Sequence, residues 1–199
     1  MADGDRFARA IAAIDAANAD DPHTIELRGE VLPKEQAHAE LMTDWVRRLD
    51  PSADDAQLLA ARAHHLRRWS VPRSSYPDGR AGYLRWRTGL RKQHAAEVAV
   101  LLADAGYDEP TIQRVQAIIN KVGLNKEGAD PAVQVHEDAL CLVFLETQLA
   151  ATVDQLGDDK MIDVIQKTAA KMSPSGLDRV ADIPMRDGDR ALIARALAG

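Results

Sequence analysis

A single cysteine, Cys141, stands among 199 residues, so no internal disulfide can form, and the usage fits a reducing compartment. No apolar run approaches the roughly 18 residues of a membrane span. The longest is Ala139 to Leu145. The opening Met1-Ala-Asp-Gly-Asp is acidic and lacks the apolar stretch of a signal peptide. Together these absences predict a cytoplasmic protein that does not enter a membrane. There is no glycine-rich phosphate loop, no internal repeat and no apolar/polar alternation of the kind a half-buried strand produces. A formal charge of −6 argues against a general nucleic-acid binder.

Aromatic residues are also scarce, eight in all, yet four of them (Trp69, Tyr76, Tyr83, Trp86) fall within 18 positions. Charge is distributed just as unevenly. From Arg67 to Lys92 there are seven arginines and one lysine against the single acid Asp78, a local balance of +7 that leaves −13 for the rest. A basic, aromatic segment is thus set into an acidic body that carries 34 alanines.

That body has helical periodicity nearly throughout. Phe7, Ile11 and Ile14 mark a first helix, and a loop through Gly29 and Pro33 follows it. A second helix is predicted over about 34–49 and a third over about 54–69, with Leu58, Ala61, Arg62, His65 and Trp69 along one stripe. Prolines and glycines make Ser70 to Gly82 a loop, a length more often functional than incidental. Helices over about 83–105, 111–122, 131–156 and 160–172 complete the pattern, with short pieces after Pro174. The expectation is one all-α domain over 1–199, a compact helical bundle with one long basic and aromatic loop.

Four histidines, His38, His64, His65 and His94, lie on or beside apolar helix faces, where a ring needs partners for both nitrogens. His23 and His136 sit in polar contexts and read as ordinary. Asp138 shares a face with Val135, Cys141, Leu142 and Leu145, so an ionised carboxylate there calls for a metal or an arginine. Histidines and a carboxylate from separate helices are what a metal site in a bundle requires. The bland alternative is that each histidine is a satisfied core residue.

The order of these residues resembles the HD-domain superfamily of metal-dependent phosphohydrolases, with His38, the doublet His64-His65 and Asp138 as the corresponding elements. His65 stands where that superfamily has aspartate, which argues against a dinuclear centre and leaves a mononuclear or a lost site. A fuller resemblance covers nearly the whole chain. His65-Leu-Arg-Arg-Trp69, Arg80-Ala-Gly-Tyr-Leu-Arg-Trp-Arg87, Gly106-Tyr-Asp108, Glu137-Asp-Ala-Leu-Cys-Leu-Val-Phe-Leu-Glu146 and Lys171-Met-Ser173 are similar to the domain of unknown function 4202 family. Members often carry glutamine at the first residue of the doublet and vary at His38, which ranks His65, His94 and Asp138 ahead of His38 and His64. Some relatives bear a glutamyl-tRNA synthetase-like label. Lys171-Met172-Ser173 is more simply a helix end before Pro174, because no nucleotide-binding parallel sheet accompanies it.

These readings predict a metal-dependent, phosphohydrolase-like enzyme acting on a small anionic substrate such as a nucleotide. His65, His94 and Asp138, with His64 or His38, would hold one divalent metal; nitrogen and oxygen ligands without thiolate suit iron, manganese, zinc or cobalt alike. Glu137 or Glu97 would take the proton. Arg68, Arg73, Arg80, Arg85 and Arg87 would hold the anion, and the four clustered aromatics would stack on a flat ring. An HD-type iron oxygenase, and a non-catalytic anion-binding domain with structural histidines, are the alternatives.

Overall fold

A computed structural model describes residues 3–27 and 29–198. Among them are ten helices and one two-stranded hairpin. Helix α1 (Asp3–Ala19) leads into strands β1 (Thr24–Leu27) and β2 (Glu30–Pro33), then α2 (Lys34–Leu49) and α3 (Asp55–Ala63). After two short 3₁₀ turns come α4 (Gly79–Asp104), α5 (Glu109–Asn120), α6 (Pro131–Thr147), α7 (Leu149–Leu156), α8 (Asp158–Ala169), α9 (Pro174–Asp178) and α10 (Asp187–Leu197). The all-α expectation is met.

Local chemistry sets the helix starts. Asp54 and Gln57 form a reciprocal capping box at α3, each side chain accepting from the other's backbone N–H at 3.1 Å. Asp108 and Asp130 cap α5 and α6, each with a proline in the first turn. Apolar faces then sort into two cores. Ile14, Leu59, Val98, Leu102, Val115 and Ile118 fill one, between α1, α3, α4 and α5. Leu41, Met42, Trp45, Leu142, Met161 and Ile193 fill the other, between α2, α6, α8 and α10. Each such side chain contributes on the order of 1.5–3 kcal/mol by leaving water. Helix α6 belongs to both: Ala132 and Val133 face the first core, Ala139 and Leu142 the second. The seam between the cores is where the histidines collect.

Several expectations need correction. The segment taken as a loop through Gly29 is an antiparallel hairpin pairing Thr24 with Pro33 and Leu27 with Glu30. Its strands are four residues long, too short to display a period. Helix α3 stops at Ala63 rather than near Trp69, because Arg67 adopts a left-handed conformation (φ 49°) and its N–H donates to Asn18 Oδ1 on α1. Helix α4 begins at Gly79 rather than near Tyr83, so the long loop is shorter than expected and Arg80 is helical as well. Gly82 allows this start: a Cβ there would lie 1.8 Å from the Pro77 carbonyl oxygen. The helix expected over 131–156 is broken at Gln148 into α6 and α7.

Candidate functional site

Five of the six histidines converge on the seam. The ring of His65 stacks on His64 at 3.8 Å between centroids and lies 6.1 Å from His38 and 6.0 Å from His94, while His64 meets His136 edge-on at 6.1 Å. Helix α2 supplies His38, the end of α3 supplies His64 and His65, α4 supplies His94, and α6 supplies His136. Burial depresses the basicity of these rings: His136 is pushed down to about 3 and His94 to about 4. His64 and His65 are likewise held well below the ordinary value, by burial first and by neighbouring positive groups second. Several ring nitrogens are buried with no hydrogen-bond partner: His38 Nε2, both nitrogens of His64, His94 Nε2 and His136 Nδ1.

A carboxylate overlooked in the sequence joins them. Glu35 opens α2, where its N–H donates to Asp21 Oδ2 at 3.0 Å, and it is 4 % exposed. Its Oε2 accepts from His65 Nδ1 at 2.9 Å and lies 3.5 Å from His38 Nδ1, while Arg68 Nε approaches Oε1 at 3.8 Å. Burial alone would raise the Glu35 pKa, but the hydrogen bond and charge of His38, with Arg68 and His64, outweigh it and hold the carboxyl below its usual range. Glu35, His38 and His65 offer ligand atoms within 4.8 Å of one another, the one such metal-competent group among the described residues. Two donors on one ion at about 2.1 Å sit roughly 3 Å apart, and the two separations from Glu35 Oε2 are 2.9 Å to His65 and 3.5 Å to His38. The spacing Glu35-x-x-His38 was the available signal, since residues at i and i+3 share a helix face.

The trio lies in the wall of a cavity of about 430 Å³, within the range of small-molecule sites. Five cations border it: Lys34, Arg68, Arg87, Lys167 and Lys171. Tyr83, 42 % exposed, and Phe144 add ring surface. Glu137 is also in the wall, buried and in contact with Lys121 Nζ. A second, smaller cavity of about 50 Å³ lies on the other side of His65. Arg68 separates the two, its guanidinium 4.6 Å above the Trp86 ring and its Nη1 3.4 Å from His65 Nε2.

Other expected site residues are placed elsewhere. Asp138 is 2 % exposed, but its carboxylate accepts from Ser173 N–H at 2.9 Å, Ser173 Oγ at 2.5 Å and Gln134 Nε2 at 2.9 Å. It joins α6 to the start of α9 and is not one of the metal-competent group. Glu97 faces Gln93 and Arg67 and lines neither cavity. Arg73 donates to the carbonyls of Tyr76 and Pro77 at 2.9 Å, closing the loop on itself. Arg80 and Arg85 are exposed on α4 and border neither cavity. Of the aromatics, Tyr83 alone lines the large cavity. Trp86 donates its ring N–H to Val71 O at 2.9 Å beneath Arg68, Tyr76 packs on Gly89, and Trp69 is half-buried in a 3₁₀ turn. His136, dismissed as ordinary, is 3 % exposed and belongs to the cluster, because α6 turns it inward one residue before Glu137.

The family model described as domain of unknown function DUF4202 matches residues 8–193. No curated protein and no solved structure matches the chain.

Proposed function

The chain therefore belongs to the DUF4202 family, and from that premise we propose that it is a metal-dependent hydrolase, of phosphohydrolase type, acting on a small anionic substrate. One observation carries the proposal: a buried carboxylate and two imidazoles with convergent ligand atoms stand in the wall of a cation-rimmed cavity. The unpaired His38 Nε2, the neutral His65 and the ionised Glu35 fit a divalent metal of the iron, manganese, zinc or cobalt group. Such an ion would polarise a phosphoryl oxygen and lower the pKa of a bound water. The chain's own residues do the remaining work. Arg68 and Arg87 present guanidinium forks to the anion, and Lys34, Lys167 and Lys171 surround it with charge. Arg68 is pre-positioned by the Trp86 face and by Glu35, which reduces the side-chain freedom lost on binding. Glu137 is the carboxylate in the cavity wall outside the trio and accepts the proton, with Lys121 against it. Tyr83 offers a flat face at the edge, suited to a base-sized ring.

The test is metal analysis of the purified chain combined with turnover of p-nitrophenyl phosphate and nucleoside monophosphates. Near-stoichiometric metal and metal-dependent phosphate release are expected. Metal-free protein that gains no activity with any of the four ions would overturn the reading. A second reading is favoured by the hydrogen bond of Glu35 to His65 and its ion pair with Arg68: an anion-binding domain with structural histidines. Thermal stabilisation by phosphate compounds without turnover would select it.

A further inference from the structure

The smaller cavity differs in kind from the larger one. No carboxylate lines it. Its wall combines four imidazoles, His64, His65, His94 and His136, with the cations Arg68, Arg87, Arg91 and Lys121. Lys121 pairs with Glu137, and Arg68 lies 3.8 Å from Glu35; among the described residues neither Arg87 nor Arg91 has a carboxylate within ion-pair distance. Lys121 also takes the left-handed conformation (φ 58°) at the end of α5, a strained choice for a side chain that ends up buried beside the rings. Unpaired nitrogens on rings 1–5 % exposed stand beside Arg87 and Arg91, a lining suited to an anion. A divalent cation there would meet four positive side chains and no carboxylate in the wall.

We propose that this cavity binds a single protonated tetrahedral oxyanion of the phosphate class. About 50 Å³ is room for roughly four water-sized probes, each needing some 10–15 Å³, which suits an ion of that size. The hydrogen-bond inventory selects protonation as well. His94 Nδ1 donates to the Leu66 carbonyl at 2.7 Å, so in the neutral ring Nε2 is a bare acceptor. A hydroxyl on the ligand would pair with it. Hydrogenphosphate and dihydrogenphosphate carry one, whereas sulfate at neutral pH does not. The remaining ligand oxygens accept from Arg87, Arg91 and Lys121, and from whichever nitrogens of His64 and His136 carry hydrogen. This binding goes beyond the proposed hydrolase activity and does not depend on a metal at Glu35.

Calorimetric titration of the full chain, freed of divalent metal, with inorganic phosphate and separately with sulfate near pH 7 tests it. One phosphate per chain is expected, with sulfate at least tenfold weaker. Arg91→Gln is expected to weaken phosphate at least tenfold; Arg91 lines the small cavity alone, and an unchanged thermal midpoint without phosphate shows that the variant is folded. Arg80→Gln, at an exposed position outside both cavities, leaves phosphate binding as it is. The inference is overturned by absence of saturable phosphate binding, by sulfate binding as tightly, by indifference to both Arg91→Gln and Lys121→Met, or by loss on Arg80→Gln. Because the hydrolase reading is tested by metal content and turnover, the two can fail separately.

Discussion

Two carboxylates, Glu35 at the start of α2 and Asp138 in α6, are buried alike, 4 % and 2 % exposed, and differ in what surrounds them. Asp138 receives a backbone N–H, a hydroxyl and an amide, the neutral donors that tie one segment to another. Glu35 receives an imidazole N–H and faces a second ring and a guanidinium at the edge of a cavity. Burial of an acid therefore marks a position that must be satisfied. The type of donor decides whether the position is structural or chemical, since donors saturated within the fold leave no lone pair for an ion.

The largest effect should come from exchanging the roles directly. Glu35→Gln is expected to remove bound metal, costing more than the roughly 10–100-fold in affinity typical of losing an outer partner of a ligand. Asp138→Asn should leave metal stoichiometry unchanged, as read by elemental analysis. The opposite pair of results would restore Asp138 as the ligand and break the contrast.

Next comes pH, which probes the rings on the Glu35 side. His94 and His136 have folded pKa values of about 4 and about 3, against roughly 6.5 in an unfolded chain. Between those values the unfolded chain binds protons that the folded one refuses. Stability from this source is complete above about pH 6.5 and falls by up to a few kcal/mol as pH drops toward 4. Thermal midpoints measured from pH 8 to 4.5 should show that slope, and His136→Asn should flatten it.

On the Asp138 side, loss of one partner should cost about 1–3 kcal/mol in Asp138→Asn, measured by denaturant unfolding. Gly176→Ala should cost a similar amount of roughly 1–3 kcal/mol through overpacking. Its added Cβ would lie 2.6 Å from Asp138 Cγ. Neither change should alter phosphate binding. The smallest effects belong to Arg80→Ala and Arg85→Ala, expected to fall within about 0.5 kcal/mol in stability and to leave anion affinity untouched. Arg87→Ala should weaken it clearly.

Local signals made part of this legible. Pro33 and Pro51 bracket α2, so its span 34–49 follows from sequence, and Pro131 fixes the start of α6. That His38, His64, His65 and His94 lie on or beside apolar faces was legible; that they meet at one seam depends on how the helices pack. What escaped depends on contacts distant in the chain. Helix α3 ends where Asn18, 49 positions away, holds Arg67 in an unusual backbone state. Asp138 shares a face with apolar residues, but the face does not reveal that α9 will arrive with Ser173. Helical periodicity turns His136 inward only once α3 is known to end opposite it. Glu35 is different: its spacing to His38 was readable, and it passed unnoticed because its own neighbours are polar.

The two cores described above give the metal-competent trio a mechanical meaning. Glu35 and His38 ride on α2, whose apolar face is in the second core, while His65 precedes Leu66, which is fixed in the first. A ligand bridging them is a clasp between halves that otherwise meet mainly through α3 and α6. Occupancy would then appear in the shape of the melting curve as well as in its midpoint. With the clasp closed the halves unfold as one cooperative unit, the transition moving upward with free ion concentration, and with it open the less stable half melts first.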